Sequence, residues 1–113
     1  MVYFLLILNI LMLVSGQVLW KMAVSNIEQW SISTFISLAI SPYFLGGAIL
    51  YIMATGIWLI ILSKLPLSIA YPSQSISYVL GTIIAFVLFK ETILPTQWIG
   101  MLVIILGVFL IAK

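Results

Sequence analysis

The chain has no cysteine and no histidine, and two of its 113 residues are acidic. The missing cysteines exclude disulfides and thiolate metal sites, and the missing histidines exclude an imidazole base or ligand. Charged residues make up 5% of the sequence, whereas hydrophobic residues make up 65%. Because so few charges could not cover the surface of a soluble domain, the composition predicts an integral membrane protein.

Four apolar runs predict four transmembrane helices in a single all-α domain of residues 1–113. The last three runs begin at a proline, a residue that suits the first position of a helix. The link after the first run is long, and residues 32–40 within it predict a short interfacial helix. The other links are short, so consecutive helices are expected to be antiparallel neighbours. The predicted spans are residues 2–22, 42–62, 66–89 and 95–112.

The lysines are divided evenly between the two predicted membrane surfaces. Lys64 and Lys113 fall on one side, and Lys21 and Lys90 fall on the other. An even division gives no positive-inside bias, so the sequence does not predict an orientation. Insertion in both directions, an orientation fixed by a partner, and an orientation fixed by context outside the chain all stay open.

A dimer is expected because four short helices offer few walls for a substrate pathway at the membrane midplane. Gly100 and Gly107 are seven residues apart on the fourth predicted helix, so they share a face that permits close helix approach. These glycines predict the dimer interface, although packing within the chain is the alternative. A homodimer, which includes pairing with an inverted copy, and a heterodimer with a related four-helix subunit are both possible readings.

The first span carries polar side chains at four-residue steps but contains no acid. Asn9, Gln17 and Lys21 fall on one helix face, with Leu13 between them. Without a carboxylate, this span offers no group for which a proton and a cation could compete. Asn9 and Gln17 either line a path or bond to neighbouring helices. Lys21 either binds a phosphate or extends to the membrane surface.

The third span is the most polar of the four. Tyr71, Gln74, Tyr78 and Gly81 recur at three- and four-residue steps, and Pro72 predicts a kink. Such a face is unfavourable against lipid, so it is expected to face a partner or a cavity. Hydroxyl groups, an amide and aromatic rings suit a sugar or another neutral polar group. Hydrogen bonding between helices is the alternative.

Lys90 and Glu91 end the third span, either as an exposed charge pair or as a gate or headgroup contact. The sequence contains no recognisable nucleophile–base pair, phosphate-binding loop or metal-ligand cluster. We therefore expect no enzymatic activity, no cofactor, no metal and no nucleic-acid partner.

Several of these motifs resemble the drug/metabolite transporter superfamily. The features that resemble it are the four short spans, the pair Lys90-Glu91, and Trp98-Ile99-Gly100 followed by Gly107. The small multidrug resistance proteins of that superfamily carry a glutamate where this chain has Leu13, counted back from Gly16. They also carry a tryptophan where this chain has Gln74. Both departures argue against exchange of a cation for protons.

Two strings resemble a second branch, the EamA-like Arn-type subunits that flip undecaprenyl-phosphate-aminoarabinose. They are Ser15-Gly16-Gln17 with Lys21 in the first span and Ile69-Ala70-Tyr71-Pro72 in the third. The resemblance implies translocation of a lipid-linked sugar, or of its carrier phosphate, across the bacterial cytoplasmic membrane. It also implies work in the lipid bilayer as a pair of related subunits.

The polar stripes suggest which residues would bind such a substrate. Its headgroup would contact Gln17, Tyr71, Gln74 and Tyr78, while Lys21 would attract the phosphate. Two alternatives stay open. One is a small exporter of drugs or metabolites that relies on another carboxylate, and the other is a non-transporting partner subunit of a membrane complex.

Overall fold

The computed structural model describes residues 1–25 and 27–112, and within these ranges the chain is helical and contains no strand. Lys113, which was predicted to lie on the same membrane surface as Lys64, is outside the described residues. Four of the described stretches are long and apolar enough to cross a membrane, which confirms the predicted fold class. The helices are α1 (Val2–Val24), α2 (Ile32–Ala39), α3 (Pro42–Lys64), α4 (Leu67–Ser73), α5 (Ile76–Leu88) and α6 (Pro95–Ala112).

Local sequence explains where the helices begin and end. Pro42 opens α3, where its fixed φ suits the first turn and its missing N–H is not needed. The α3 helix ends at Lys64 because Leu65 is extended, as expected for a residue that precedes a proline. At α2, the Ser31 hydroxyl accepts a hydrogen bond of 3.3 Å from the backbone N–H of Thr34. The predicted short helix in this link therefore forms, while its interfacial position stays a prediction.

The α1 helix lies between α3 and α5, which are its two main neighbours. It runs antiparallel to α3, because Asn9 contacts Ala54 whereas Trp20 contacts Phe44. The expectation that consecutive spans are neighbours holds only in part for α3 and the third span. The α3 helix contacts α4, the first part of that span, whereas α5 lies on the other side of α1. The physical reason is that side chains of α3 and α5 form opposite walls of a cavity rather than packing together.

A small apolar core holds α1 to its neighbours. Leu6, Ile10 and Val14 are buried at four-residue steps along one face of α1 and pack with Ile61 and Ala70. The other spans bury fewer of their residues. In α6, 6% of the 18 residues that could cross the membrane are buried inside the chain. The α6 helix contacts α4 and α5. The many exposed apolar side chains are those expected of helices that face lipid.

The α1 and α3 helices approach each other closely at Gly16 and Gly47. A Cβ added to Gly47 would lie 3.0 Å from the backbone oxygen of Gly16 and 2.5 Å from the indole ring of Trp20. That ring stacks on Tyr51 with centroids 4.4 Å apart. Small residues thus let the two helix backbones meet closely, as in many membrane proteins.

The third span is divided at Pro72, which confirms the predicted kink. The proline lies in the last turn of α4, and α5 begins at Ile76 after a short turn. Within that turn the N–H of Ser75 donates to the carbonyl of Pro72 at 3.0 Å. Because a proline removes a helical N–H and crowds the preceding turn, the helix cannot continue unbroken.

Candidate functional site

An open cavity of about 810 Å³ lies over α1, with α3 and α5 as its side walls. Its volume falls within the range of sites that hold small molecules, roughly 300–1,000 Å³. The lining reaches from Asn9 to Lys21, which corresponds to roughly 18 Å along α1. Neutral polar and aromatic side chains from α1, from α3 and from the third span all contribute to this lining: Gln17, Tyr51, Thr55, Gln74, Ser77, Tyr78 and Thr82.

The deep end of the cavity is fixed by Asn9, whose side chain is fully buried. Its amide donates to the carbonyl oxygen of Ala54 on α3 at 2.7 Å. Its own oxygen accepts a 3.0 Å hydrogen bond from the amide of Gln74, in the turn between α4 and α5. Asn9 therefore ties three spans together, which agrees with the reading of this residue as a bond to neighbouring helices.

The middle of the cavity is formed by Gln17 and Tyr51. The Gln17 amide donates to the hydroxyl of Tyr51 across the α1–α3 contact. Tyr51 is held in turn by stacking on Trp20, whose indole N–H donates to the carbonyl of Phe44 at 3.1 Å. Trp20 thus has a packing function within the chain, in addition to its position near a span end.

The outer end of the cavity carries two opposite charges. Lys21, in the last turn of α1, lies 4.0 Å from a carboxylate oxygen of Glu91, in the link after α5. Their side chains are 52% and 45% exposed. An ion pair so exposed contributes little to stability, roughly 0.2–1 kcal/mol. Both charges line the cavity mouth, so they are available to a ligand.

The sequence-predicted binding residues do not all meet. Gln17, Lys21, Gln74 and Tyr78 line the cavity together, whereas Tyr71 does not. Tyr71 precedes the break at Pro72, so the regular spacing that aligned it with Tyr78 is interrupted. Of the predicted gate residues, Glu91 lines the mouth and Lys90 does not.

Tyr51 and Thr55 also line the cavity, although neither is among the binding residues predicted from the sequence. They follow Gly47 at four-residue steps in an otherwise apolar span. That spacing is the signal that could have revealed a third polar face. Leu13 also lines the cavity, so an apolar side chain occupies the site where small multidrug resistance proteins are expected to carry their acid.

Lys90 has a backbone φ of 55°, in the left-handed region. This conformation lets the N–H of Glu91 turn back to the carbonyl of Ala85 at 3.3 Å. A side chain at this φ is strained by steric contact with the backbone. At this turn Glu91 lines the cavity mouth, whereas Lys90 does not.

Lys90→Gly is therefore expected to raise the free energy of unfolding by about 0.5–1 kcal/mol, because glycine adopts this φ without strain. Thermal unfolding in detergent micelles measures the effect. Lys90→Ala is the matched control, since it removes the same charge but keeps the Cβ. Equal stability of the glycine and alanine variants would contradict the prediction.

Gly100 and Gly107 on α6 face open space. A Cβ added to either glycine would have no neighbouring atom within 4 Å. Both glycines therefore lie on a part of α6 that is free for contact with another molecule, and their role in a dimer stays a prediction.

Four spanning-length helices within the described residues, around an open polar cavity, define a multi-pass membrane protein of the transporter class.

No family model matches the chain, and no solved structure matches it. Its sequence is 37% identical to a Pseudomonas fluorescens protein over 96% of this chain and 95% of that protein. It is 35% identical to a Proteus mirabilis protein over 99% and 97%, respectively. Both are named probable 4-amino-4-deoxy-L-arabinose-phosphoundecaprenol flippase subunit ArnE. The chain belongs to this ArnE family, which confirms the resemblance to Arn-type subunits.

A Serratia proteamaculans protein with the same name is 32% identical over 97% of this chain and 94% of its own length. The similarity therefore spans all four membrane helices rather than one segment.

Proposed function

We propose that the chain is a subunit of a flippase that moves a polyprenyl-phosphate-linked sugar across the membrane. The observation that carries this proposal is the cavity, in which neutral polar groups follow α1 inward from a lysine at the mouth. The names of the relatives support the same substrate class. Hydroxyl and amide groups suit a sugar, while a lysine suits a phosphate.

In the proposed mechanism, the headgroup leaves water at the mouth while the polyprenyl tail stays in lipid. Lys21 attracts the phosphate through its charge, which acts more strongly near the low-dielectric membrane than in bulk water. The sugar hydroxyls then exchange hydrogen bonds with Gln17, Gln74 and Tyr78 in place of water. Because each of these groups is neutral, the headgroup is not trapped at one depth by a strong opposite charge.

We propose further that the four spans act as one domain in the bacterial cytoplasmic membrane and function with a partner subunit. The relatives are named as subunits. The face of α6 that carries Gly100 and Gly107 is the proposed interface, since nothing within 4 Å covers either glycine in the chain. Homodimer and heterodimer remain alternatives for experiment. The proposed activity is transport, without catalysis by this chain.

The double variant Lys21→Ala, Gln74→Leu is expected to reduce translocation about tenfold, equivalent to roughly 1.4 kcal/mol of lost binding to the headgroup. The assay uses proteoliposomes that contain the chain and any copurifying subunit, loaded with a polyprenyl-phosphate amino sugar. A membrane-impermeant amine reagent reports the headgroup that reaches the outer leaflet.

Lys64→Ala is the matched control, because Lys64 ends α3 and does not line the cavity. Undiminished translocation by a correctly folded double variant would refute the site assignment. Drug-driven proton movement that Glu91→Gln abolishes would instead support a small multidrug exporter. Lack of translocation by the chain together with any copurifying subunit would support a non-transporting partner role.

A further inference from the structure

We infer that Lys21 and Glu91 together recognise a zwitterionic headgroup, in which Lys21 binds the phosphate and Glu91 binds a protonated amine on the sugar. This inference rests on the proposed function and adds a specificity-determining residue to it.

The geometry of the cavity mouth carries the inference. The two opposite charges come from segments distant in sequence, yet they lie 4.0 Å apart and line the same cavity. About half of each side chain is exposed. At this separation and exposure the two charges hold each other weakly, so a ligand can replace the pair. The amide and hydroxyl groups of the cavity begin directly inside the mouth, where a sugar would lie.

A carboxylate beside the lysine is unfavourable for a site that binds only an anion. Glu91 would repel a phosphate that approaches Lys21 and would reduce its affinity. The same carboxylate favours a headgroup that also carries a positive charge, so it discriminates by repulsion as well as by attraction. The substrate named for the relatives combines these two charges, since it is an amino sugar joined to a phosphate-bearing lipid.

The backbone at Lys90 supports a specific position for Glu91. The left-handed φ of 55° at Lys90 accompanies the hydrogen bond that the Glu91 N–H donates to the carbonyl of Ala85. This turn holds the start of the link against the end of α5. On binding, the sugar ring would enter between Lys21 and Glu91, so that one ion pair between side chains is exchanged for two ion pairs with the ligand.

Binding of two polyprenyl-phosphate sugars tests the inference: one with a free amine and one in which that amine is N-acetylated. The purified chain, with any copurifying subunit, should bind the free-amine lipid about tenfold more tightly. Glu91→Gln should remove this preference by weakening binding of the free-amine lipid. Lys21→Gln should weaken binding of both lipids. Glu28→Gln is the matched control, since Glu28 is exposed and does not line the cavity.

Equal affinity of the unmodified protein for the two lipids would overturn the inference, even if both are translocated and the proposed function stands. A preference that survives Glu91→Gln would also overturn it. If neither lipid binds or moves, the proposed function fails as well. The comparison within the unmodified protein does not depend on the folding of any variant.

Discussion

Gly47→Val is expected to lower the free energy of unfolding by about 3 kcal/mol, because overpacking a close helix contact forces both partners to shift. The first atom of the new side chain would already lie 3.0 Å from the Gly16 backbone oxygen and 2.5 Å from the Trp20 ring. The ring cannot move freely, since it stacks on Tyr51 and donates a hydrogen bond to Phe44. The backbone oxygen can move only if α1 moves away from α3.

Thermal unfolding in detergent micelles, followed by tryptophan fluorescence, measures this loss. Gly56→Val is the matched control on the same helix, because a Cβ at Gly56 meets no atom within 4 Å. We expect the control to unfold close to the temperature of the unmodified chain. Similar unfolding temperatures for the two valine variants would show that the α1–α3 contact is not tight.

Asn9→Leu is expected to destabilise the chain by about 2 kcal/mol, because it removes two hydrogen bonds and leaves the Gln74 amide without its partner. The bonds lie where water is scarce, since Asn9 is fully buried. Their loss would loosen the turn that follows Pro72 from α1. Thermal unfolding in detergent micelles measures this loss of stability.

A double-mutant cycle with Gln74→Leu separates the two bonds. If Asn9 and Gln74 support each other, Gln74→Leu should cost less in the Asn9→Leu background than alone. Ser63→Ala is the control, because that exposed hydroxyl bonds to Ile60 in its own helix and should contribute little. Strictly additive effects of the Asn9 and Gln74 substitutions would contradict the predicted coupling.

The fold was largely predictable because apolar runs and prolines are local signals. Pro42 and Pro95 begin α3 and α6 as expected, and Pro72 divides the third span. The spatial arrangement of the helices was harder to predict from the sequence. Residue spacing shows which side chains share a face, but it does not show that α1 separates α3 from α5. That arrangement depends on packing at Gly16 and Gly47 and on side chains that surround the cavity.

The candidate site was predictable in part for the same reason. Periodicity within α1 placed Gln17 and Lys21 on one face, and both line the cavity. Periodicity failed for Tyr71, because helical spacing cannot be extended through the break after Pro72. The pairing of Lys21 with Glu91 could not be predicted, since tertiary structure brings the end of α1 next to the link after α5. The functional roles of these residues stay predictions.

The division of the third span also has a consequence for biogenesis. The α4 helix of 7 residues and the α5 helix of 13 residues extend roughly 10 and 20 Å, each less than the roughly 30 Å hydrocarbon layer. Neither half can partition into the bilayer as an independent spanning unit. The insertion machinery must therefore accept both halves together, and the polar turn between them gains a protein environment only when α1 is already beside it.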